Sequence, residues 1–345
     1  MAILVFAVMI LVHEGGHFLA AKACGVRVLE FALGLGPAIF KKQGGETQYC
    51  LRALPFGGQC VMDGEDDDTP NDDPRCFNNV AAWKRAIILV AGVAMNFLLG
   101  LLILVCLYAP AEAFVVPTID TFMEKFTGGG EFGLQEGDTV LEVDGYNVYL
   151  ANDISTALNR GDDEYFEIEI IRNGERMTLR DVRLEPQPYE LDGKTVYYYG
   201  FYLTKAEATP GLVLKVTAGS GVNLVRMVID SVRMLFAGEA KVTDLSGPVG
   251  ISAMMSQTAK QSMSNFWYLA ALIAINLAVM NLMPIPALDG ARLLFVLYEM
   301  ITRRRPNPRV ENYIHAAGLI LMLGLIVFVT FNDIWRLITG SAIGG

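Results

Sequence analysis

The chain has 345 residues, of which 53% are hydrophobic and only 19% are charged, and its mean hydropathy is +0.38. So apolar a chain buries a core easily, which excludes disorder as its overall state. The apolar residues form long uncharged runs and the acidic residues gather in the middle, a distribution untypical of a soluble enzyme. The net charge of −10 also excludes a general nucleic-acid binder, which presents a basic face. The composition therefore indicates an integral membrane protein with a polar domain attached.

Four segments are close to the length and apolarity needed to cross a bilayer, which takes about 20 residues. They are residues 1–21, 86–109, 266–288 and 313–332. A fifth apolar segment, residues 211–236, has charges at roughly helical intervals, so we predict an amphipathic helix that lies on the membrane surface. The first segment has neither a basic start nor an obvious cleavage site, so we predict a retained helix and not a signal peptide.

The distribution of Lys and Arg predicts the orientation, because these residues stay on the cytoplasmic side of spans. They are concentrated between the first and second spans and between the third and fourth, so both connections are predicted to be cytoplasmic. Residues 111–210 contain 8 basic and 20 acidic residues, a net charge of −12, and are predicted to lie outside. The predicted parts are 1–110 with two spans, 111–208 as an external domain, and 209–345 with the amphipathic helix and two spans.

The cysteines are five in number, and none of them lies in the predicted external domain. Most are in or near a connection predicted to be cytoplasmic, where thiols stay reduced. The sequence has no CxxC spacing, so isolated structural thiols are predicted and a cysteine metal site is not. The five are Cys24, Cys50, Cys60, Cys76 and Cys106.

The first span contains His13-Glu14-Gly15-Gly16-His17, which matches the pattern HExxH. Residues i and i+4 share one face of a helix, so both imidazoles can bind the same zinc ion. Glu14 then lies where it can take a proton from water and pass it to a leaving amine. The alternative is a chance match. Ionisable residues inside a bilayer-length apolar run cost free energy unless they are paired or bind metal. Their presence here favours a functional site over a chance match.

A catalytic zinc ion needs a third protein ligand and an open position for water. The best candidate is Asp289, in the segment 281–290 at the cytoplasmic end of the third span. Two prolines in this segment would break the helix, and non-helical backbone at membrane depth is tolerated where it lines a cavity. Two alternatives remain: His315 is the third ligand, or Asp289 only pairs with Arg292.

The combination of HEGGH with Asn281-Leu-Met-Pro-Ile-Pro-Ala-Leu-Asp289-Gly290 resembles the site-2 protease family of intramembrane zinc metalloproteases, in its bacterial RseP-like branch. Gly92-Val-Ala-Met-Asn96 resembles the family's GxxxN motif, and Leu245-Ser-Gly-Pro-Val-Gly250 resembles its SGP segment. The resemblance covers nearly the whole chain. It implies a set of ligands for Zn²⁺, an acid–base catalyst and two substrate-positioning residues. These are His13, His17 and Asp289 as ligands, Glu14 as the catalyst, and Asn281 and Asn96 for positioning.

Two further regions resemble parts of this family that handle substrate. Residues 26–61 alternate β-favouring residues with glycine and are predicted to form its membrane-associated β-hairpin beside the active site, with an ordinary cytoplasmic hairpin as the alternative. Residues 111–208 include Gly133-Leu-Gln-Glu-Gly-Asp138 and an Asn173-Gly174 turn signal, and they resemble a single, circularly permuted PDZ domain. Such a domain binds peptide or an ectodomain, or acts as a gate against bulky substrates. The acidic run 63–73 is assigned no role.

The resemblance implies a polytopic α-helical membrane protein with four transmembrane helices, a membrane-associated β-hairpin and an inserted extracytoplasmic PDZ domain. It implies a bacterial inner or plasma membrane, with the active site near the cytoplasmic face. The expected substrates are single-span membrane proteins within the lipid bilayer, such as anti-sigma-factor-like regulators and signal-peptide remnants. The alternative is a metal-binding membrane transporter or sensor with a PDZ scaffold. Transporters place polar residues on several spans near the midplane, whereas here they cluster on two spans near one face.

Overall fold

The computed structural model describes residues 1–65, 72–130, 132–160, 164–191, 194–239 and 246–339. It divides the chain into two compact units, one made of Met1–Leu104 and Asn223–Gly345 and the other of Val105–Val222. The first unit contains every residue proposed for the zinc site. The second contains the part predicted to be an external domain.

The helices account for most of the first unit. In chain order, the helices of both units are α1 Ala2–Cys24, α2 Ala82–Tyr108, α3 Ala151–Leu158, α4 Pro210–Ala237, α5 Pro248–Gln261, α6 Met263–Leu282, α7 Asp289–Thr302 and α8 Pro308–Thr339, with a short 3-10 helix at Phe77–Asn79. Of these, α3 lies in the second unit and α4 begins there. Within the described residues, α1, α2, α4, α6 and α8 are long and apolar enough to cross a membrane, judged by length and composition.

Two of these helices differ from the sequence expectations. α4 covers the segment predicted to be a surface helix, yet it also reaches the length and hydropathy of a span. The count of four spans therefore stays a prediction. α6 ends at Leu282, short of the predicted end of the third span at residue 288, because Pro284 and Pro286 cannot continue the helix.

The predicted hairpin is confirmed as β1 (Val28–Gly44) paired with β2 (Thr47–Met62). Its strands are longer than expected and fold back on themselves at glycines with positive φ, such as Gly34 with 91° and Gly57 with 80°. Phe31 consequently lies opposite both Cys60 and Tyr49. The result is a sheet of four segments in the order 58–62, 28–33, 48–51 and 40–43, in which 58–62 forms one outer edge.

A helix absent from the sequence expectations, α5, begins at the SGP segment. The Asp333 carboxylate on α8 is 1% exposed and accepts a hydrogen bond from the Gly250 backbone N–H at 2.8 Å. A Cβ atom at Gly247 would lie 2.8 Å from the same carboxylate. Glycine at both positions therefore lets the first turn of α5 receive a buried carboxylate, which satisfies donors that a helix start leaves unpaired.

The second unit is built on a sheet with strand order β10-β3-β4-β6-β7 and with β5 beside β4. The strands are β3 Ala113–Phe122, β4 Thr139–Val143, β5 Tyr146–Asn147, β6 Tyr165–Arg172, β7 Glu175–Arg183 and β10 Phe201–Glu207, with β8 Gln187–Leu191 and β9 Lys194–Tyr198 as a separate hairpin. The Asn-Gly turn is confirmed: Asn173 and Gly174 have φ of 53° and 86° between β6 and β7. The PDZ assignment stays a prediction.

The most specific stretch of this unit, Gly133–Asp138 in the sequence, ends in a buried ion pair. Asp138 is fully buried, and Arg172 of β6 reaches its carboxylate with Nε at 2.8 Å and Nη2 at 2.7 Å. The guanidinium also donates to the Gly133 carbonyl at 2.7 Å. This bidentate ion pair compensates the buried charge of Asp138, which would otherwise cost free energy. It also fixes the turn before β4 on the sheet.

Candidate metal centre

Helix α1 places His13 and His17 on one face, four residues apart. Their Nε2 atoms are 3.2 Å apart, and the Oδ2 atom of Asp289 lies 3.2 Å from the first and 3.3 Å from the second. Zinc bonds of 2.0–2.1 Å in a tetrahedral site imply ligand separations of about 3.3 Å. The three donor atoms therefore already have the spacing that one tetrahedral zinc ion requires. Within the described part of the chain, these three residues form the His/Cys/Asp/Glu group that could hold a metal ion.

The orientation of His17 is fixed from α2. Its Nδ1 atom lies 2.8 Å from the Ile88 carbonyl oxygen, so Nδ1 carries the hydrogen and donates it, and Nε2 keeps a lone pair for a metal. The imidazole lies directly against Gly92, where a Cβ atom would stand 2.6 Å from Cε1. At Gly16 a Cβ atom would stand 2.5 Å from the Ala91 oxygen. The glycines of HEGGH and GxxxN thus meet where α1 and α2 approach most closely.

Asp289 is the first residue of α7, after an irregular turn that follows α6. The glycine after it has a packing reason: a Cβ atom at Gly290 would stand 2.5 Å from the Leu282 carbonyl carbon, at the end of α6. The turn also contains Ala287, whose φ of 76° is unusual for a residue with a side chain. The segment Leu288-Asp289-Gly290 thus forms the start of α7 and packs against the end of α6.

The two residues named in the alternatives, Arg292 and His315, both contact other residues. Arg292 forms an ion pair with Glu65. His315 stands on α8, and its Nδ1 atom accepts a hydrogen bond from the Ala287 backbone N–H at 3.3 Å. Asp289 is the residue that approaches both histidines.

Glu14 lines a cavity of about 400 Å³ together with both histidines, Asp289, Arg292 and the strand edge 58–62. The Cys60 backbone N–H lies near its carboxylate. A Cβ atom at Gly58 would stand 2.9 Å from the Glu14 Cγ atom, so the strand passes directly beside the acid.

All five cysteines are free thiols, as predicted.

The two asparagines predicted to position substrate lie in different surroundings. The Nδ2 atom of Asn281, in the last turn of α6, is 3.4 Å from the His13 Nε2 atom, at the edge of the donor triangle. Asn96 on α2 is only 1% exposed. The structure brings Asn281 to the site and leaves Asn96 within the helix packing.

Sequence reasoning missed three contributors: the Cys60 backbone, the pairing of Arg292 with Glu65, and the contact of His315 with the turn. The sequence placed residues 26–61 in a hairpin but did not indicate that residues 58–62 lie beside Glu14. The arginine and the histidine were visible as charges near span ends, but their partners lie far away in the sequence. Only the fold shows these contacts.

Two histidines and a carboxylate with the spacing of metal ligands, with a second carboxylate beside the histidines on the membrane-length helix α1, are the features of a membrane-bound metallopeptidase. Comparisons with known proteins agree. Residues 1–325 match Peptidase family M50. The chain therefore belongs to this family, the site-2 proteases, and is a zinc metalloprotease.

Relatives resemble the chain over almost its full length. One relative is a Clostridium acetobutylicum protein named as a zinc metalloprotease. It is 36% identical over 338 residues, which are 96% of each chain. The zinc metalloprotease RasP of Shouchella clausii is 28% identical and spans 97% of this chain and 98% of its own length. The regulator of sigma-W protease RasP of Bacillus subtilis is also 28% identical, over 97% of each chain.

Proposed function

We propose that the protein is an intramembrane endopeptidase that cleaves single-span membrane proteins, with zinc held by His13, His17 and Asp289. The observation that carries this proposal is the triangle of donor atoms with sides of 3.2, 3.2 and 3.3 Å, in a cavity shared with Glu14. The ligands stand on or next to helices with the length of membrane spans. The presence of Glu14 beside the three donor atoms favours hydrolysis over transport, because a transporter has no role for an acid–base group there.

Zinc, when bound, acts as a Lewis acid on the substrate carbonyl and makes a water molecule acidic enough to attack near neutral pH. Glu14 accepts the proton of that water and delivers it to the amine that leaves. The N–H of Cys60 lies near the Glu14 carboxylate, in the cavity that Glu14 shares with the ligands. This position supports one group acting first as a base and then as an acid.

Asn281 is proposed to stabilise the charge that develops on the carbonyl oxygen. Its amide nitrogen is a donor 3.4 Å from a ligand nitrogen, in the region where a substrate carbonyl approaches the metal. Asn96 is proposed to support substrate positioning from within the helix packing, because its side chain is only 1% exposed.

The strand edge 58–62 is proposed to hold the substrate in an extended form. A peptide bond in a helix is covered and hydrogen-bonded, so the substrate must unwind before it is cut. Pairing with an exposed strand edge supplies backbone hydrogen bonds to an unwound segment. Residues 58–62 form an outer edge of their sheet and line the cavity with Glu14, which supports this role.

The membrane arrangement and the substrates belong to the same proposal. We place the active site near the cytoplasmic face of a bacterial cell membrane and the domain 111–208 outside, as a PDZ-type gate or peptide-binding module, because this domain is strongly acidic and the first and last connections are rich in Lys and Arg. Anti-sigma-factor-like regulators and signal-peptide remnants are the proposed substrates. The name of the Bacillus subtilis relative, a regulator of sigma-W protease, supports the first of these classes.

The decisive experiment is Glu14→Gln in the purified full chain, assayed on a single-span reporter protein. Loss of the acid–base group should slow cleavage by about 10²- to 10⁴-fold. Zinc content should stay unchanged, because Glu14 is not in the donor triangle. Glu46→Gln, at the exposed tip of the hairpin, is the matched control and should cleave normally. Undiminished cleavage by Glu14→Gln would rule out the proposed mechanism.

A further inference from the structure

Helix α8 touches the turn that carries Asp289 at two points. The Nδ1 atom of His315 accepts a hydrogen bond from the Ala287 N–H at 3.3 Å. At Gly318, a Cβ atom would stand 2.7 Å from the carbonyl carbon of Pro286 and 2.8 Å from its oxygen. Residues three apart lie on one helix face, so His315 and Gly318 press the same side of α8 against two consecutive residues of the turn.

The turn has few backbone hydrogen bonds of its own, from the Ile285 N–H to Met283 and from the Leu288 N–H to Ile285. Pro284 and Pro286 have no N–H to donate. Ala287 has a φ of 76°, a conformation that residues with a side chain rarely adopt and that persists only when the surroundings impose it. The Ala287 N–H donates the hydrogen bond that His315 accepts. The His315 imidazole thus supports Ala287, the residue of the turn whose backbone has a positive φ.

The opposite side of the turn is held by α6. Gly290 lies against the carbonyl groups of Leu282 and Met283, closer than any side chain would allow. The segment between these two anchors carries Asp289, whose Oδ2 atom must stay at equal distances from the two histidines. Metal–ligand distances tolerate deviations of about 0.2 Å, so a small rotation of the turn is enough to lose a ligand.

We propose that His315 is a positioning residue for the zinc site, which fixes Asp289 through the Ala287 N–H, and that Gly318 permits the close approach this requires. The inference deepens the proposed function and rests on its ligand set. His315 acts as an acceptor at Nδ1, so the neutral imidazole carries its hydrogen on Nε2. It binds neither metal nor substrate. A ligand support of this kind typically contributes about 10- to 100-fold to metal affinity.

The test measures zinc dissociation constants of the purified full chain by competition with a chelator. His315→Leu should weaken zinc binding about tenfold, whereas His315→Asn, whose Oδ1 atom occupies nearly the place of Nδ1, should restore it. Tyr313→Leu, at an exposed position of α8, is the control for a change of shape. Gly318→Ala should also weaken binding. Gly324→Ala is its matched control, because a Cβ atom there has no neighbour within 4 Å.

The outcomes separate this inference from the proposed function. Unchanged zinc affinity in His315→Leu overturns it, as does an Asn variant as weak as the Leu variant, which would indicate a packing role only. If His315→Leu does not fold, the comparison of Gly318→Ala with Gly324→Ala decides, and equal affinities overturn the inference. Asp289→Asn tests the ligand set separately: full zinc occupancy in that variant would overturn the proposed site itself.

Discussion

The two parts of the metal centre are held in different ways. His13 and His17 stand on one uninterrupted helix, where a spacing of four residues brings both rings to the same face. Asp289 stands after a broken segment, and its place depends on contacts with α6 and α8. The histidines would keep their mutual spacing in any intact α1. The carboxylate has its position only in the complete fold.

This difference indicates where the site can be disturbed without touching a ligand. A substitution on the outer face of α1 leaves the relation of the histidines intact, because the backbone ladder of the helix maintains it. A substitution at the turn, or on α8 behind it, moves Asp289 alone. The turn is therefore expected to control metal affinity, whereas the helix controls which atoms face the metal.

After Glu14→Gln, the largest effect on catalysis among the variants that spare the ligands is expected for Asn281→Ala. Removal of a donor aimed at a developing oxyanion costs about 10²- to 10³-fold in kcat. Zinc content should remain, because Asn281 approaches His13 without belonging to the donor triangle. Cleavage rates and metal content of the purified variant are the measurements. Asn276→Ala, at an exposed position on α6, is the control. Parallel loss of zinc and activity would assign Asn281 to the metal site instead.

A smaller effect is expected where α2 supports the histidine side. In Gly92→Ala the new methyl group collides with the His17 ring, so we expect zinc affinity to fall by about tenfold or more. Gly15→Ala is the matched control within HEGGH, since a Cβ atom there has no neighbour within 4 Å. Chelator competition measures both. Equal zinc affinity in the two variants would mean that the contact of His17 with α2 does not position the ring.

The sequence alone was sufficient for the helical part of the site. The pattern HExxH fixes residue types and a spacing that only a helix brings onto one face, so His13, Glu14 and His17 were identifiable without a fold. Asp289 was identifiable because an aspartate is costly at the end of an apolar span. The structure brings these residues together within the distances that zinc requires.

The other parts of the site depend on contacts that no local sequence pattern encodes. The hairpin was predicted from alternation, but the fold-back that brings residues 58–62 beside Glu14 depends on glycines whose φ values appear only in three dimensions. His315 gave no signal of its role, because its partner Ala287 is 28 residues away. Helix α4 was ambiguous for a different reason: its spaced charges favour a surface helix, while its length and hydropathy fit a span.

The last prediction concerns the reactivity of Cys60, on the strand edge that lines the cavity with Glu14. Burial raises the pKa of this thiol to about 12, and the nearby Glu14 carboxylate acts in the same direction. The neutral thiol is the form that folding favours, so its contribution to stability is complete at neutral pH and is lost as the pH rises toward about 12.

Alkylation reports this pKa directly, because only the thiolate reacts. In a variant that keeps Cys60 as its single cysteine, the rate of labelling by iodoacetamide should rise about tenfold per pH unit from pH 8 to about 10.5 without levelling off. The same variant unfolded in detergent is the control, and its rate should level off above about pH 9, because an exposed thiol has a pKa of about 8.5. A plateau near pH 9 in the folded protein would show that the Cys60 thiol is open to water.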